Sequence, residues 1–355
     1  MRRARLLLVS TPIGTLGSGG GGGVELTLPN VARALGRRGH EVTVLAPAGS
    51  RAAGLELVEV DGRPPPSAQG EPRDAPVVLP PGSLVANLFL AAARLAPAYD
   101  VVVNFAYDWL GFYLTEFLAT PLAHLVSMGS LLDTVDEALG EVVARRPGRA
   151  ACHTRAQAAT FPFGDGLVVI GNGLDLDRYQ PQLAPGEGIG WVGRISPEKG
   201  LEDAVAAAAA AGEVLHVFGL VADPAYWDEV RGAAPEGVVD HRGFLPTAEL
   251  QAELGRCRSL LVTPKWEEAF GNVVAEAAAC GVPVVAYGRG GPAELVVDGV
   301  TGAVVDPARG VAGLVEGLAR VGAVDRAACR AHAEATFSLD AFADRLEAWL
   351  GPLVG

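Results

Sequence analysis

Cysteine is scarce in this sequence: Cys152, Cys257, Cys280 and Cys329 are widely separated, and no two form a CxxC pair. That spacing excludes a disulfide framework and a zinc site, and it fits the reduced thiols of a cytoplasmic protein. Long apolar runs are missing as well. Leu6-Leu7-Leu8-Val9 follows arginines but stops at Ser10-Thr11-Pro12, too short for the core of a signal peptide. No stretch reaches the ~20 apolar, turn-free residues of a membrane span, so stable membrane insertion is not expected. Positive charge is also in short supply. A formal charge of -13 repels nucleic-acid phosphates, although a few local cations and backbone N–H groups suffice for one phosphorylated small molecule.

Apolar material, by contrast, is plentiful: half of the 355 residues are hydrophobic and 19% are charged. That is enough for two cores, and the length exceeds one ordinary domain. Short β-rich runs alternate with Ala/Leu-rich segments. Strands are expected at residues 6–10, 41–46, 100–105, 122–127 and 167–170 in the first half. In the second half they fall at 190–193, 214–219, 238–243, 259–263, 282–286 and 302–305. Helices fit 25–38, 83–96, 201–211, 248–256, 272–279 and 340–350. Such alternation implies an α/β protein with parallel sheets covered on both faces. Residues 63–81, rich in proline and polar side chains, read as a loop. A second break with Asn172-Gly173, Pro181 and Pro185 reads as a linker. The expected domains are 1–171 and 188–338, joined by 172–187, with 339–355 a terminal helix packing back on the first. Two Rossmann-like halves facing across a crevice would bind ligands at the carboxyl ends of their strands.

Two motifs carry most of the chemical information. Glu268-Ala269-Phe270-Gly271-Asn272-Val273-Val274-Ala275-Glu276 follows a strand and opens a helix. N–H groups at a helix start suit a phosphate or a sugar oxygen. Glu268 and Glu276 are expected roughly 8–10 Å apart, matching two hydroxylated groups joined by a pyrophosphate. The bland alternative is an acid favoured by the helix dipole and a second acid on a solvated face. In Gly193-Arg194-Ile195-Ser196-Pro197-Glu198-Lys199-Gly200, another strand end enters a helix. There Arg194 and Lys199 suit a diphosphate, unless they merely pair with Glu198, Glu202 or Asp203.

These motifs, with Asn172-Gly173-Leu174-Asp175, Cys280-Gly281-Val282-Pro283-Val284-Val285 and Asp298-Gly299-Val300-Thr301-Gly302, resemble glycosyltransferase family 4, the retaining group of GT-B architecture. The resemblance covers most of the chain and is sharpest at 190–306. It implies that Arg194 and Lys199 bind the donor diphosphate and stabilise the leaving nucleotide, with Glu268 contacting donor-sugar hydroxyls. Backbone groups of Phe270, Gly271 and Asn272 would lie nearby, Glu276 would hold the ribose, and Gly219, Phe244 and Leu245 would surround the base. It further implies a glycine loop on the donor phosphate, here Gly22 and Gly23 within residues 17–25. The opening segment and Leu125-Val126-Ser127-Met128-Gly129-Ser130 are similar to cyanobacterial UDP-glucose:tetrahydrobiopterin glucosyltransferases. That similarity implies UDP-glucose as co-substrate and a reduced pterin as acceptor.

Other readings stay open at this level. The glycine run also suits a dinucleotide, but Pro47-Ala48-Gly49-Ser50 stands where the acid of an NAD-dependent oxidoreductase belongs. A sugar or lipid acceptor, or nucleotide-sugar binding without turnover, would use the same residues. Many family members carry a histidine where this chain has Ser127-Met128-Gly129, and His124 substitutes only if its strand register turns it outward. Tyr107, Asp108 and Trp109 are candidate acceptor contacts, against a plain role in capping and packing. Asp175-x-Asp177 resembles a DxD metal motif but falls in the linker signature, so no metal and no cofactor is expected. No Ser/His/Asp triad is legible.

Overall fold

The computed structural model describes residues 1–18, 23–184 and 186–354. The chain divides into two compact units: Met1–Gly173 together with the C-terminal segment from Leu339, and Leu174–Ser338.

Among its described residues, unit 1 has a seven-stranded parallel sheet. Its strands are β1 (Arg5–Val9), β2 (Glu41–Pro47), β3 (Glu56–Val60), β4 (Val101–Asn104), β5 (Leu122–Leu125), β6 (Ala150–Cys152) and β7 (Val168–Val169). Their order is β3-β2-β1-β4-β5-β6-β7. The helices of the first 173 residues are α1 (Val24–Arg37), α2 (Leu84–Leu95), α3 (Trp109–Tyr113), α4 (Asp133–Arg145) and the short α5 (Arg155–Ala158). Alternation along β1 builds two cores at once. Leu6 and Leu8 join α1 on one face, whereas Leu7 and Val9 join Leu84, Leu88 and Phe89 of α2 on the other. Each of these fully buried leucines contributes about 1.5–3 kcal/mol relative to exposure.

In unit 2 a six-stranded parallel sheet, again among the described residues, runs β10-β9-β8-β11-β12-β13. These are β8 (Ile189–Val192), β9 (Leu215–Phe218), β10 (Val239–Gly243), β11 (Ser259–Val262), β12 (Val284–Tyr287) and β13 (Gly302–Val305). Its helices are α6 (Leu201–Ala211), α7 (Pro224–Ala233), α8 (Thr247–Arg256), α9 (Asn272–Ala279), α10 (Gly291–Leu295), α11 (Gly310–Val321) and α12 (Arg326–Phe337). The last helix, α13 (Leu339–Val354), returns to unit 1. Phe342, Leu346, Trp349 and Leu350 enter the core beside α1, and Arg345 donates to the Ile170 and Asn172 carbonyls at 2.7 and 3.1 Å.

Both sheets reverse their strand order once, between β1 and β4 and between β8 and β11. Loops leaving the two strands at such a reversal splay apart, and open α/β sheets bind ligands there.

Candidate active site

The reversal in unit 2 is occupied by charge. After β8 the chain passes Gly193-Arg194 and a tight turn, Pro197–Lys199, into α6, with Gly200 left-handed at φ 65°. A Cβ on Gly200 would lie 2.1 Å from the Thr263 carbonyl oxygen, so only glycine lets this turn approach the end of β11. Thr263 fastens the approach: it accepts from Trp191 Nε1 at 3.2 Å and its hydroxyl reaches the Gly200 carbonyl at 2.8 Å. Lys265 N donates to the Glu198 carbonyl at 2.9 Å.

Held in this way, the two sequence motifs meet. Lys199 Nζ pairs with Glu268 Oε2, which also accepts from Trp266 Nε1 at 3.1 Å. The ammonium lies 5.0 Å from the centroid of the Trp266 ring, a cation–π distance. Arg194 reaches Glu198 Oε1 at 3.3 Å, and Ser196 Oγ donates to the same oxygen at 2.7 Å. Lys265 pairs with Asp203 and, at 3.3 Å, with Glu202. Only two of the 28 basic residues are lysines, and both stand here. That scarcity is the signal by which sequence reading could have found Lys265, a member it missed along with Trp266.

The loop bearing Glu268 is set by two glycines after β12. A Cβ on Gly290 would meet the Glu268 carbonyl oxygen at 2.3 Å, and one on Gly291 the Phe270 carbonyl oxygen at 2.2 Å. Gly291 N donates to the Glu268 carbonyl at 2.6 Å. Gly271, left-handed at φ 90°, then starts α9 at Asn272, whose positive dipole end favours an anion. The Phe270 ring is buried edge-on against Phe337, 6.1 Å between centroids. One turn into α9, Glu276 is buried and accepts from Tyr179 Oη at 3.0 Å. Burial raises its carboxyl to about 7, with the Tyr179 hydrogen bond and the Arg178 charge opposing the rise. Tyr179 is a further residue that no motif announced. Gly219 follows β9, its N–H donating to the Gly243 carbonyl at 2.8 Å. Its missing Cβ would fall 1.8 Å from the Gly193 carbonyl oxygen. Phe244 is exposed and Leu245 half-buried in the loop after β10.

Two family models match the chain, "Glycosyl transferases group 1" over residues 186–328 and "Glycosyltransferase Family 4" over residues 21–126. The D-inositol 3-phosphate glycosyltransferase of Rhodococcus opacus (strain B4) is 30% identical over 407 residues, covering 97% of this chain and 89% of that protein. The chain belongs to the family 4 glycosyltransferases. Another D-inositol 3-phosphate glycosyltransferase, from Actinosynnema mirum, is 31% identical over 365 residues, covering 86% of this chain and 85% of that one. Among solved structures, AviGT4, a glycosyltransferase involved in avilamycin A biosynthesis, superposes with TM-score 0.75 at 24% identity, covering 99% of this chain and 98% of its own. Anabaena Alr3699/HepE in complex with UDP-glucose gives 0.74 at 20% identity, with 99% and 100% covered. These likenesses show the GT-B fold.

Unit 1 of this glycosyltransferase gathers less of what the sequence suggested. Gly22 lies outside the described residues; Gly23 caps α1, its carbonyl accepting from Thr27 Oγ1 at 3.0 Å. Asp108 caps α3 through the Leu110 N–H at 2.9 Å, and burial raises its carboxyl. Trp109 stacks on Tyr113, 4.6 Å between centroids. Tyr107 Oη donates to Asp136 Oδ1 at 2.5 Å and accepts from the Leu131 and Leu132 N–H groups. These three side chains therefore all carry structural roles. His124 corrects the expectation that it could face an acceptor. Its ring is fully buried, with Nδ1 3.1 Å from Asn104 Nδ2 and Nε2 2.7 Å from Thr115 Oγ1. Register decides this: β5 pairs His124 beside Asn104 of β4, inside the sheet. Desolvation lowers its pKa to about 3, so it is a neutral core histidine.

Among the described residues no group of three or more His, Cys, Asp or Glu side chains is placed to hold a metal ion. Nor is any described helix long and apolar enough to cross a membrane. All four cysteines are buried.

Proposed function

We propose that the enzyme transfers a hexose from a nucleotide sugar, UDP-glucose, to a small hydroxylated acceptor, with the donor held by unit 2. The observation that carries this reading is the Lys199–Glu268 pair at the β8/β11 reversal, between the Arg194 turn and the start of α9. A diphosphate offers Lys199 more negative charge than one carboxylate does, and it releases Glu268 to accept from sugar hydroxyls. Arg194, Lys199 and the dipole of α9 then meet the charge that develops as the anomeric C–O bond to phosphate breaks. Glu276 accepts from the ribose, and the loops at Gly219 and Phe244–Leu245 border the base. The acceptor oxygen bonds to the anomeric carbon on the face the leaving group departs from, and a phosphate oxygen takes its proton. No metal and no resident cofactor enters these steps.

For the acceptor, the resemblance read from the opening segment and residues 125–130 points to tetrahydrobiopterin, whereas the relatives found by comparison are named for D-inositol 3-phosphate. Purified enzyme is to be incubated with UDP-glucose and either tetrahydrobiopterin or D-inositol 3-phosphate, following UDP release and the glycoside mass. Release with one acceptor and its matching glycoside identifies the reaction. Failure of UDP and UDP-glucose to bind at all would overturn the donor assignment. Binding without release to either acceptor would favour a non-catalytic sugar-nucleotide binder.

A further inference from the structure

Trp266, half-buried, precedes Glu268 by two residues and touches both members of the central ion pair. Its Nε1 donates to Glu268 Oε2 at 3.1 Å, and its ring centroid lies 5.0 Å from the Lys199 ammonium. Glu268 Oε2 therefore takes two donors, one charged and one neutral. Among the described residues no bond falls on Oε1. The two donors respond differently to a charged ligand. A diphosphate draws an ammonium strongly, whereas an indole N–H carries no charge and can only donate. Once Lys199 has turned to phosphate, the indole is what still holds the carboxylate.

The main chain on either side of Trp266 is anchored. Lys265 N donates to the Glu198 carbonyl at 2.9 Å, and Arg289 Nη1 to the Lys265 carbonyl at 2.6 Å. Gly291 N donates to the Glu268 carbonyl at 2.6 Å. The Lys265 side chain pairs with Asp203, whose Oδ2 also accepts from Tyr287 Oη at 2.7 Å. The backbone from 265 to 268 is thus tied to the turn before α6 and to the segment after β12. What this leaves adjustable is the flexible Glu268 side chain, and a rigid indole on a fixed backbone is suited to aiming it.

We infer that Trp266 is a positioning residue for Glu268: with Lys199 on the diphosphate, its N–H holds Oε2 and keeps Oε1 directed at a hydroxyl of the donor hexose. The inference rests on the donor assignment proposed above. A tryptophan at such a place could instead donate to phosphate directly or serve as a flat platform for a ring. Its N–H is already given to Glu268 and its ring already lies beside the Lys199 ammonium, which argues against both.

Trp266→Phe keeps a ring beside Lys199 and removes the N–H. In calorimetric titration it should weaken UDP-glucose about tenfold, the size of one hydrogen bond to a charged group. UDP affinity should stay within about threefold, because only the hexose meets Glu268. In a Glu268→Ala background the same substitution should change UDP-glucose affinity by less than about twofold, since no carboxylate is left to aim. Equal weakening of UDP and UDP-glucose would make Trp266 a general support or a phosphate contact. An undiminished loss in the Glu268→Ala background would make it a contact to the sugar itself. Either result overturns the inference. So does an unchanged UDP-glucose affinity in Trp266→Phe, which leaves the donor assignment standing. If UDP-glucose does not bind wild-type enzyme, the donor assignment falls and this inference with it. Should Trp266→Phe fail to fold, benzothienylalanine at position 266 replaces the indole nitrogen by sulfur, keeps the ring shape and is read by the same titrations.

Discussion

The two sheets reverse their strand order in the same way, yet their carboxyl ends are furnished differently. Unit 2 places cations and carboxylates there in mutual pairs: Lys199 with Glu268, Arg194 with Glu198, Lys265 with Asp203. Unit 1 places neutral, buried polar groups along β5 to β7: His124 between Asn104 and Thr115, His153 between Ser127 and Gly171. Paired charges can exchange partners when a charged ligand arrives, whereas buried neutral groups hold their geometry. The same scaffold thus provides a charge-handling end and a shape-holding end.

Breaking the charged end should have the largest effect. Lys199→Ala is expected to lower kcat by 10²–10³ with an unchanged circular dichroism spectrum. Lys199→Arg should recover only part, since a planar guanidinium does not replace a compact ammonium. An alanine variant with near wild-type turnover would remove Lys199 from the chemistry.

Next in size is the cost of Glu276. Its carboxyl, ordinarily near 4.5, is raised to about 7 in the fold. Between those values the unfolded chain has lost the proton while the folded one keeps it, so stability falls as pH rises through this window. At pH 8 the deficit is about 3 kcal/mol, from 1.4 kcal/mol per unit. Glu276→Gln should therefore gain stability over wild type at pH 8 and not at pH 4 in urea titrations, while binding UDP more weakly. An equal difference at both pH values would contradict a raised carboxyl.

The shape-holding end should respond in stability instead. His124→Ala leaves Asn104 and Thr115 without their shared partner and should cost about 2 kcal/mol with both substrate KM values unchanged; a selective rise in acceptor KM would return His124 to the site. Smallest is Asp108→Ala, which removes the cap of α3 and should cost about 1 kcal/mol in thermal melts.

Much of the fold was legible because buried parallel strands are short β-branched runs between amphipathic helices. What escaped had a reason in each case. β3, Glu56-Leu57-Val58-Glu59-Val60, is a half-exposed edge strand whose two glutamates break up its apolar run, and β6 is three small residues, Ala150–Cys152, with no β-branched signal. α12 carries arginines that look solvated, yet Arg326 is buried and donates to the carbonyls of Gln182, Gly255 and Cys257. The candidate donor residues could be named because each motif is continuous in sequence, 193–200 and 268–276. Tyr179 could not, because its partner Glu276 lies 97 residues away. The misjudged His124 turned on strand register, which composition does not encode.

The two lysines offer an experimental handle. Lys199 and Lys265 are about 20% and 36% exposed at the side chain, and among side chains an amine-selective acylating reagent has only these two primary amines to modify. Modification measured peptide by peptide then becomes an occupancy gauge: on the proposed donor site, UDP should shield Lys199 without any acceptor being known.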